Sequence, residues 1–260
     1  MEPKKAAPKI EEGPRPYLPS EDGFDGGIAA ADPGVRYVGA DPQSAAALGR
    51  ASKAITQLSQ LDSDAWYSYE DYCTWQFPER VELIYGKVYV MSPSPGRVHQ
   101  ESGGEIFRQV ANHLLGRACK VYLAPFDVQL LQDATDGKVF TVLQPDLCIV
   151  CDATKLSEKG CTGAPDLVLE VLSASTSKHD LVFKFGIYEL NNIKELWYLD
   201  NAKSTLTVHI LQADGLYGPP VVYAANAKVP VATLPGLHID LSLVFPDAET
   251  DKLGTEVLEG

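Results

Sequence analysis

Residues 166–172 read DLVLEVL, an apolar run with a glutamate, Glu170, inside it. A continuous apolar run of this length, without alternation, marks a strand covered on both faces. A lone carboxylate buried there would cost several kcal/mol, roughly, unless it is paired, protonated or bound to a metal. The fold must therefore bury this strand, and the chemistry must account for its acid.

The surrounding sequence supplies the layers. Ser68-Tyr-Glu-Asp71 has the form of a capping box and predicts a short helix to about residue 76. VELIY (81–85) and KVYVM (87–91) flank Gly86 as a hairpin. Residues 97–115 predict an amphipathic helix with Ile106, Phe107, Val110, Leu114 and Leu115 on its apolar face. Strand-like runs follow at 119–123, 126–131, 140–143 and 145–151. A second helix is expected over 178–190, with Leu181, Phe185 and Tyr188 on one side. Further strands are expected at 195–200, 205–212, 220–224 and 228–233. Strands and helices mixed in this order indicate an α/β (α+β) class, a sheet sandwiched by helices.

Composition divides the 260 residues into three parts. Residues 1–64 form an N-terminal extension. Its first 43 residues hold seven of the 18 prolines and are expected to be disordered. A narrow stripe of Leu48, Ala51, Ile55 and Leu58 is the pattern of a helix at 44–61 that could dock on the domain or on an unknown protein partner, or stay marginal alone. The packed domain is expected at 65–246, and an acidic tail at 247–260. The formal charge of −13 discourages non-specific binding to polyanions, but 65–246 carries only −6 of it, which leaves room for a local basic groove. No apolar run reaches the length of a membrane span, and the first residues lack the apolar core of a secretory signal. Five cysteines, an odd number in a long chain, argue against a disulfide scaffold and for a reducing, cytoplasmic compartment. Cys148 and Cys151 lie three apart on one strand, so they face opposite ways and read as core cysteines.

Five side chains carry the candidate chemistry. Asp146, after Pro145, begins the strand PDLCIV. With Glu170 on an adjacent strand it could hold one hard cation such as Mg²⁺, which accepts one or two protein carboxylates and keeps several waters. Asp166 is four residues from Glu170, about 13 Å along a strand, so it reads as a turn residue. Lys184 borders the inward stripe of the second helix and could stabilise developing negative charge; a surface pair with Asp180 competes for it. His99, at i−4, i−7 and i−11 from Gly103, Ile106 and Val110, faces inward and could ligate metal or contact a phosphate. Glu82, inside the first strand, could add a third metal-site carboxylate. No G-x-x-x-x-G-K-[ST], G-x-G-x-x-G or G-x-S-x-G occurs, which disfavours nucleotide-driven motors, dinucleotide enzymes and nucleophile-elbow hydrolases.

Four strings in order carry a resemblance: ERVELIYGKVYVMSPSPGRVH (79–99), QPDLCIV (144–150), APDLVLEVLSAST (164–176) and DLVFKFGIYELNNIKELWYLD (180–200). Over about 70–246 the chain resembles the Uma-two family within the PD-(D/E)xK nuclease superfamily. The resemblance implies a restriction-endonuclease-like core, a mixed central sheet flanked by helices. It places the motif's Asp at Asp146 and its acidic residue at Glu170. The motif's lysine would lie two after the glutamate, where this chain has Leu172; the matching lysine is Lys184 on the next helix. The family's N-terminal Glu and His match Glu82 and His99.

The function implied is a Mg²⁺-dependent endonuclease that cuts DNA, with Mn²⁺ able to serve instead, acting as a homodimer. An alternative is an inactive nuclease-fold protein that binds nucleic acid or a protein partner; a third is a hydrolase of another phosphodiester.

Overall fold

A computed structural model describes residues 37–38, 54–91, 94–132, 137–172 and 178–248. Strand β1 is Tyr37–Val38, and helix α1 is Tyr69–Tyr72. Ser68 caps α1 as expected: its Oγ accepts from the Asp71 backbone N–H, and the Asp71 carboxylate accepts from the Ser68 N–H at 2.8 Å. β2 (Val81–Ile84) and β3 (Lys87–Val90) form the hairpin. Its turn residues Tyr85 and Gly86 have φ of 51° and 76°, the doubly left-handed turn whose twist matches the paired strands.

Helix α2 spans Arg97–His113, followed by β4 (Lys120–Leu123), β5 (Val128–Gln132), β6 (Val139–Leu143) and β7 (Leu147–Val150). The small strands β8 (Leu156–Ser157) and β9 (Gly160–Thr162) precede the buried β10 (Leu167–Leu172) and helix α3 (Lys178–Leu190). The chain continues through β11 (Glu195–Asp200), β12 (Thr205–Ile210), β13 (Val221–Ala224), β14 (Lys228–Pro230), β15 (His238–Asp240) and α4 (Leu241–Val244). None of the helices is long and apolar enough to cross a membrane, among the described residues.

Among the described residues the strands make two large sheets and one small one, so the α/β class holds with more sheet and fewer helices than a single sandwiched layer requires. The first sheet runs β1-β3-β2-β6-β5-β9-β8, the second β13-β12-β11-β10-β7-β4, and β14 pairs with β15. Within the second sheet, among the described residues, β10 and β11 pair in parallel and the other neighbours are antiparallel. Three apolar layers result. Ile55, Leu58, Leu61, Tyr69 and Trp75 cover one face of the first sheet at Val81, Leu83 and Val88. Between the two sheets lie Ile84, Val128, Leu143, Cys148 and Val168, with Ile187 and Tyr188 of α3. The other face of the second sheet packs Leu147, Leu169, Val171 and Trp197 against Ile106 and Val110 of α2 and Leu241 of α4. β10 is thus covered on both faces, as its composition requires.

Several expectations need correction. Tyr37–Val38, inside the stretch expected to be disordered, pairs with β3; the rest of 1–43 lies outside the described residues. Of the helix expected at 44–61, residues 44–53 also lie outside them. Residues 54–61 contain only a 3-10 turn at Leu58–Gln60, and Leu61 is buried, so packing begins before residue 65. Leu115 is 78% exposed because α2 ends before it reaches the core face. Of the acidic tail, 249–260 lies outside the described residues. Cys148 and Cys151 do face opposite layers, but Cys151 is not a free thiol. It forms a disulfide with Cys119, which the β4–β7 register sets opposite it. The cysteine argument for a reducing compartment does not hold for this pair.

Candidate active site

The two sheets share one connection that matters for chemistry. β6 belongs to the first sheet and β7 to the second, and Gln144-Pro145-Asp146 carries the chain between them. β7 and β10 are antiparallel with Leu147 opposite Leu169. One step further along that register, Asp146 stands opposite Glu170, and opposed residues of an antiparallel pair project to the same face. The Asp146 Oδ2 accepts the Val171 backbone N–H at 2.8 Å, which fixes its carboxylate at the strand end.

Glu82 comes from the first sheet, on the face of β2 that Ile84 turns towards the second. Its Oε1 accepts the Gln144 backbone N–H at 2.7 Å. Lys184, from α3, fills the space between the acids. Its Nζ is 3.1 Å from Glu82 Oε1 and 3.3 Å from Glu170 Oε1. The Tyr188 hydroxyl, one turn later on α3, donates to the same Glu170 oxygen at 2.6 Å. On the outer side, His99 Nε2 of α2 lies 3.3 Å from Asp146 Oδ2. All five candidate residues therefore meet at one place. Glu82, Glu170 and Lys184 are buried there, while the Asp146 and His99 side chains keep 27% and 17% exposure and mark the open side.

Burial is the main force on Glu170. It pushes the carboxyl up to about 7; Lys184 opposes this, and the negative neighbours Asp146 and Glu82 add to it. Tyr188 is held well above its ordinary value by burial and by the charge of Glu170. The hydrogen bond to Asp146 raises His99, against a smaller downward effect of burial.

The donor chemistry fits a hard divalent cation. Asp146 Oδ1 and Glu170 Oε2 accept no hydrogen bond from any described residue, so each acid keeps one oxygen for a ligand. Among the described residues no three His, Cys, Asp or Glu side chains converge as a metal cage. Two carboxylates completed by waters and a substrate oxygen are the arrangement Mg²⁺ accepts. Glu82 Oε1 is already engaged by Lys184 and Gln144, which sets it behind the lysine.

Asp166 sits away from this cluster, as expected. Its carboxylate pairs with Lys194 at 2.6 Å and accepts the Cys151 N–H. Tyr188 and Gln144 were not singled out by the sequence. Tyr188 reads as one more apolar-face aromatic, and its spacing of four from Lys184 is the only signal that could have raised it. Gln144 acts on Glu82 through a backbone N–H, which no side-chain pattern encodes.

Two large sheets, linked through Gln144-Pro145-Asp146 beside a lysine-bridged carboxylate cluster, define a mixed α/β protein. The chain belongs to the Uma2 family, described as "Putative restriction endonuclease", whose model matches residues 66–242. It is similar to the uncharacterized protein slr1290 of Synechocystis sp. (strain ATCC 27184 / PCC 6803 / Kazusa), 27% identical over 137 residues, 52% of this chain and 68% of that one. Its fold is similar to the crystal structure of a putative nuclease belonging to DUF820 from Anabaena variabilis ATCC 29413. The TM-score is 0.54 at 19% identity, over 69% of this chain and 97% of the other.

Proposed function

We propose that the chain is a metal-dependent endonuclease that hydrolyses DNA phosphodiester bonds. The observation that carries this reading is the register that sets Asp146 opposite Glu170, with Lys184 Nζ 3.3 Å from the latter. Asp146 and Glu170 would hold Mg²⁺, or Mn²⁺ in its place. Bound there, the ion would neutralise charge on the scissile phosphate and acidify a water. Lys184 would orient that water or donate to a phosphate oxygen as charge develops. Glu82 pairs with the lysine and holds it in place. Tyr188 fixes the Glu170 rotamer and favours its ionised form. His99 orients Asp146 from the open side. By the resemblance to the superfamily, the products would be a 3′-hydroxyl and a 5′-phosphate, and two copies would act together on two strands.

One observation favours a second reading, a nuclease fold kept for binding or assembly: Lys184 is only 8% exposed and already bridges two acids. Calorimetric titration of Mg²⁺ and Mn²⁺ into wild type and Glu170→Gln, with plasmid cleavage on the same samples, separates the two. A nuclease binds metal and cuts, and the variant does neither. A wild type that binds no metal at millimolar concentration and never cuts makes Glu170 a structural acid.

A further inference from the structure

Arg80 immediately precedes β2, two residues before Glu82 and four before Ile84. By strand periodicity Arg80 leaves the chain on the side of Glu82 and Ile84, about 7 Å along the backbone from Glu82, and its guanidinium reaches the side chain of Gln144, two residues before Asp146. Arg80 is exposed, yet its guanidinium is held. Nε and Nη2 donate to Gln144 Oε1 at 3.2 and 2.7 Å.

Gln144 is buried and fixed on its other side. Its Nε2 donates to Asp127 Oδ1 at 2.8 Å and to the Tyr72 hydroxyl at 3.0 Å, and its backbone N–H serves Glu82. Asp127 is anchored in turn: its backbone carbonyl accepts from Cys161 N–H, and a Cβ at Gly160 would fall 2.2 Å from that oxygen. The guanidinium is therefore aimed by a rigid chain of contacts, and both hydrogen bonds go to a neutral amide oxygen. No carboxylate among the described residues pairs with it, in a chain with 35 acids against 22 bases. By contrast Arg97, also near the open side, is bound to Glu101 at 2.6 Å.

We propose that Arg80 binds a non-bridging oxygen of the backbone phosphate next to the scissile one, and so sets the register of the strand across Asp146 and Glu170. The planar fork suits this task, because one edge grips Gln144 while the other donates to the phosphate. This rests on the nuclease reading above and names how that site holds its substrate.

The test uses the full chain and a short labelled DNA duplex. Binding is followed by fluorescence anisotropy across a salt series, with Ca²⁺ in place of Mg²⁺, and cleavage is followed with Mg²⁺. For Arg80→Gln the expected result is roughly ten- to hundredfold weaker binding. The slope of log affinity against log salt should also fall by about one, the signature of one lost phosphate contact. Arg80→Lys should keep the wild-type slope. If Arg80→Gln loses cleavage with affinity and slope unchanged, Arg80 only props Gln144 and the proposal is overturned. If Arg80→Gln binds and cuts like wild type, the proposal alone fails. A wild type that neither binds nor cuts removes the nuclease reading and this one with it.

Discussion

The Tyr188 hydroxyl donates to Glu170 Oε1 at 2.6 Å, inside a layer where both side chains are buried. A phenol in that position stabilises the carboxylate over the acid. Tyr188→Phe leaves the packing intact and removes the donor, so Glu170 should hold its proton to higher pH. The expected outcome is weaker Mg²⁺ binding at neutral pH and a pH–rate profile shifted to the alkaline side. The stability cost should be about 1–3 kcal/mol. An unmoved profile would make the hydrogen bond incidental to the site.

Lys184 is the only cation between Glu82 and Glu170 among the described contacts. Lys184→Met should destabilise the fold by about 3–5 kcal/mol, because it leaves buried acids uncompensated. Chemical denaturation should show a larger loss at pH 8 than at pH 5, since Glu170 is protonated at the lower value and needs the lysine less. Equal losses at both pH values would mean that the lysine acts through packing.

The direction of the Glu170 effect on stability follows from linkage. Its folded value, about 7, lies above its ordinary 4.5, so the folded state takes up a proton more readily than the unfolded chain. That contribution is fully present below about 4.5 and is lost as pH rises through 7. Metal-free wild type should therefore lose about 3 kcal/mol across this window relative to Glu170→Gln, whose amide carries no charge to desolvate. Urea titrations in EDTA at several pH values check it. Parallel curves for the two proteins would place the acid in a wetter setting than its burial indicates.

The Cys119–Cys151 bridge closes a segment of 32 residues. Loop-closure entropy assigns such a link about 3–4 kcal/mol. A dithiol reductant should lower the melting temperature of wild type and leave a Cys119→Ser/Cys151→Ser double variant unmoved. If mass spectrometry finds both thiols free in the isolated protein, the bridge is not part of its folded state.

Glu170 stood out in the sequence because its neighbours are all apolar, and Asp146 because it began the adjacent strand. Burial of a charge is legible when the run around it is continuous. Glu195 shows the limit. It opens ELWYLD, is fully buried, and accepts from Trp197 Nε1 and from the backbone N–H groups of Ala232 and Thr233 at 2.9–3.2 Å. It stitches a distant turn to β11, and nothing local distinguishes it from a catalytic acid, because two of its three donors lie 37 and 38 residues away. A comparable separation, 32 residues, hid Cys119 from Cys151, whose pairing depends on strand register. The division into two sheets was equally hidden, since alternation and apolar runs report that a face is covered but not by what.

The cluster draws Glu82 from one sheet, Glu170 from the other, Asp146 from the link between them and Lys184 from a helix. No single segment of the chain contains a working set. A nascent or proteolysed fragment would carry the acids without the lysine, or one sheet without its counterpart. Any chemistry done by this cluster would therefore wait on the finished fold, because its four side chains meet only once both sheets and the helix are assembled.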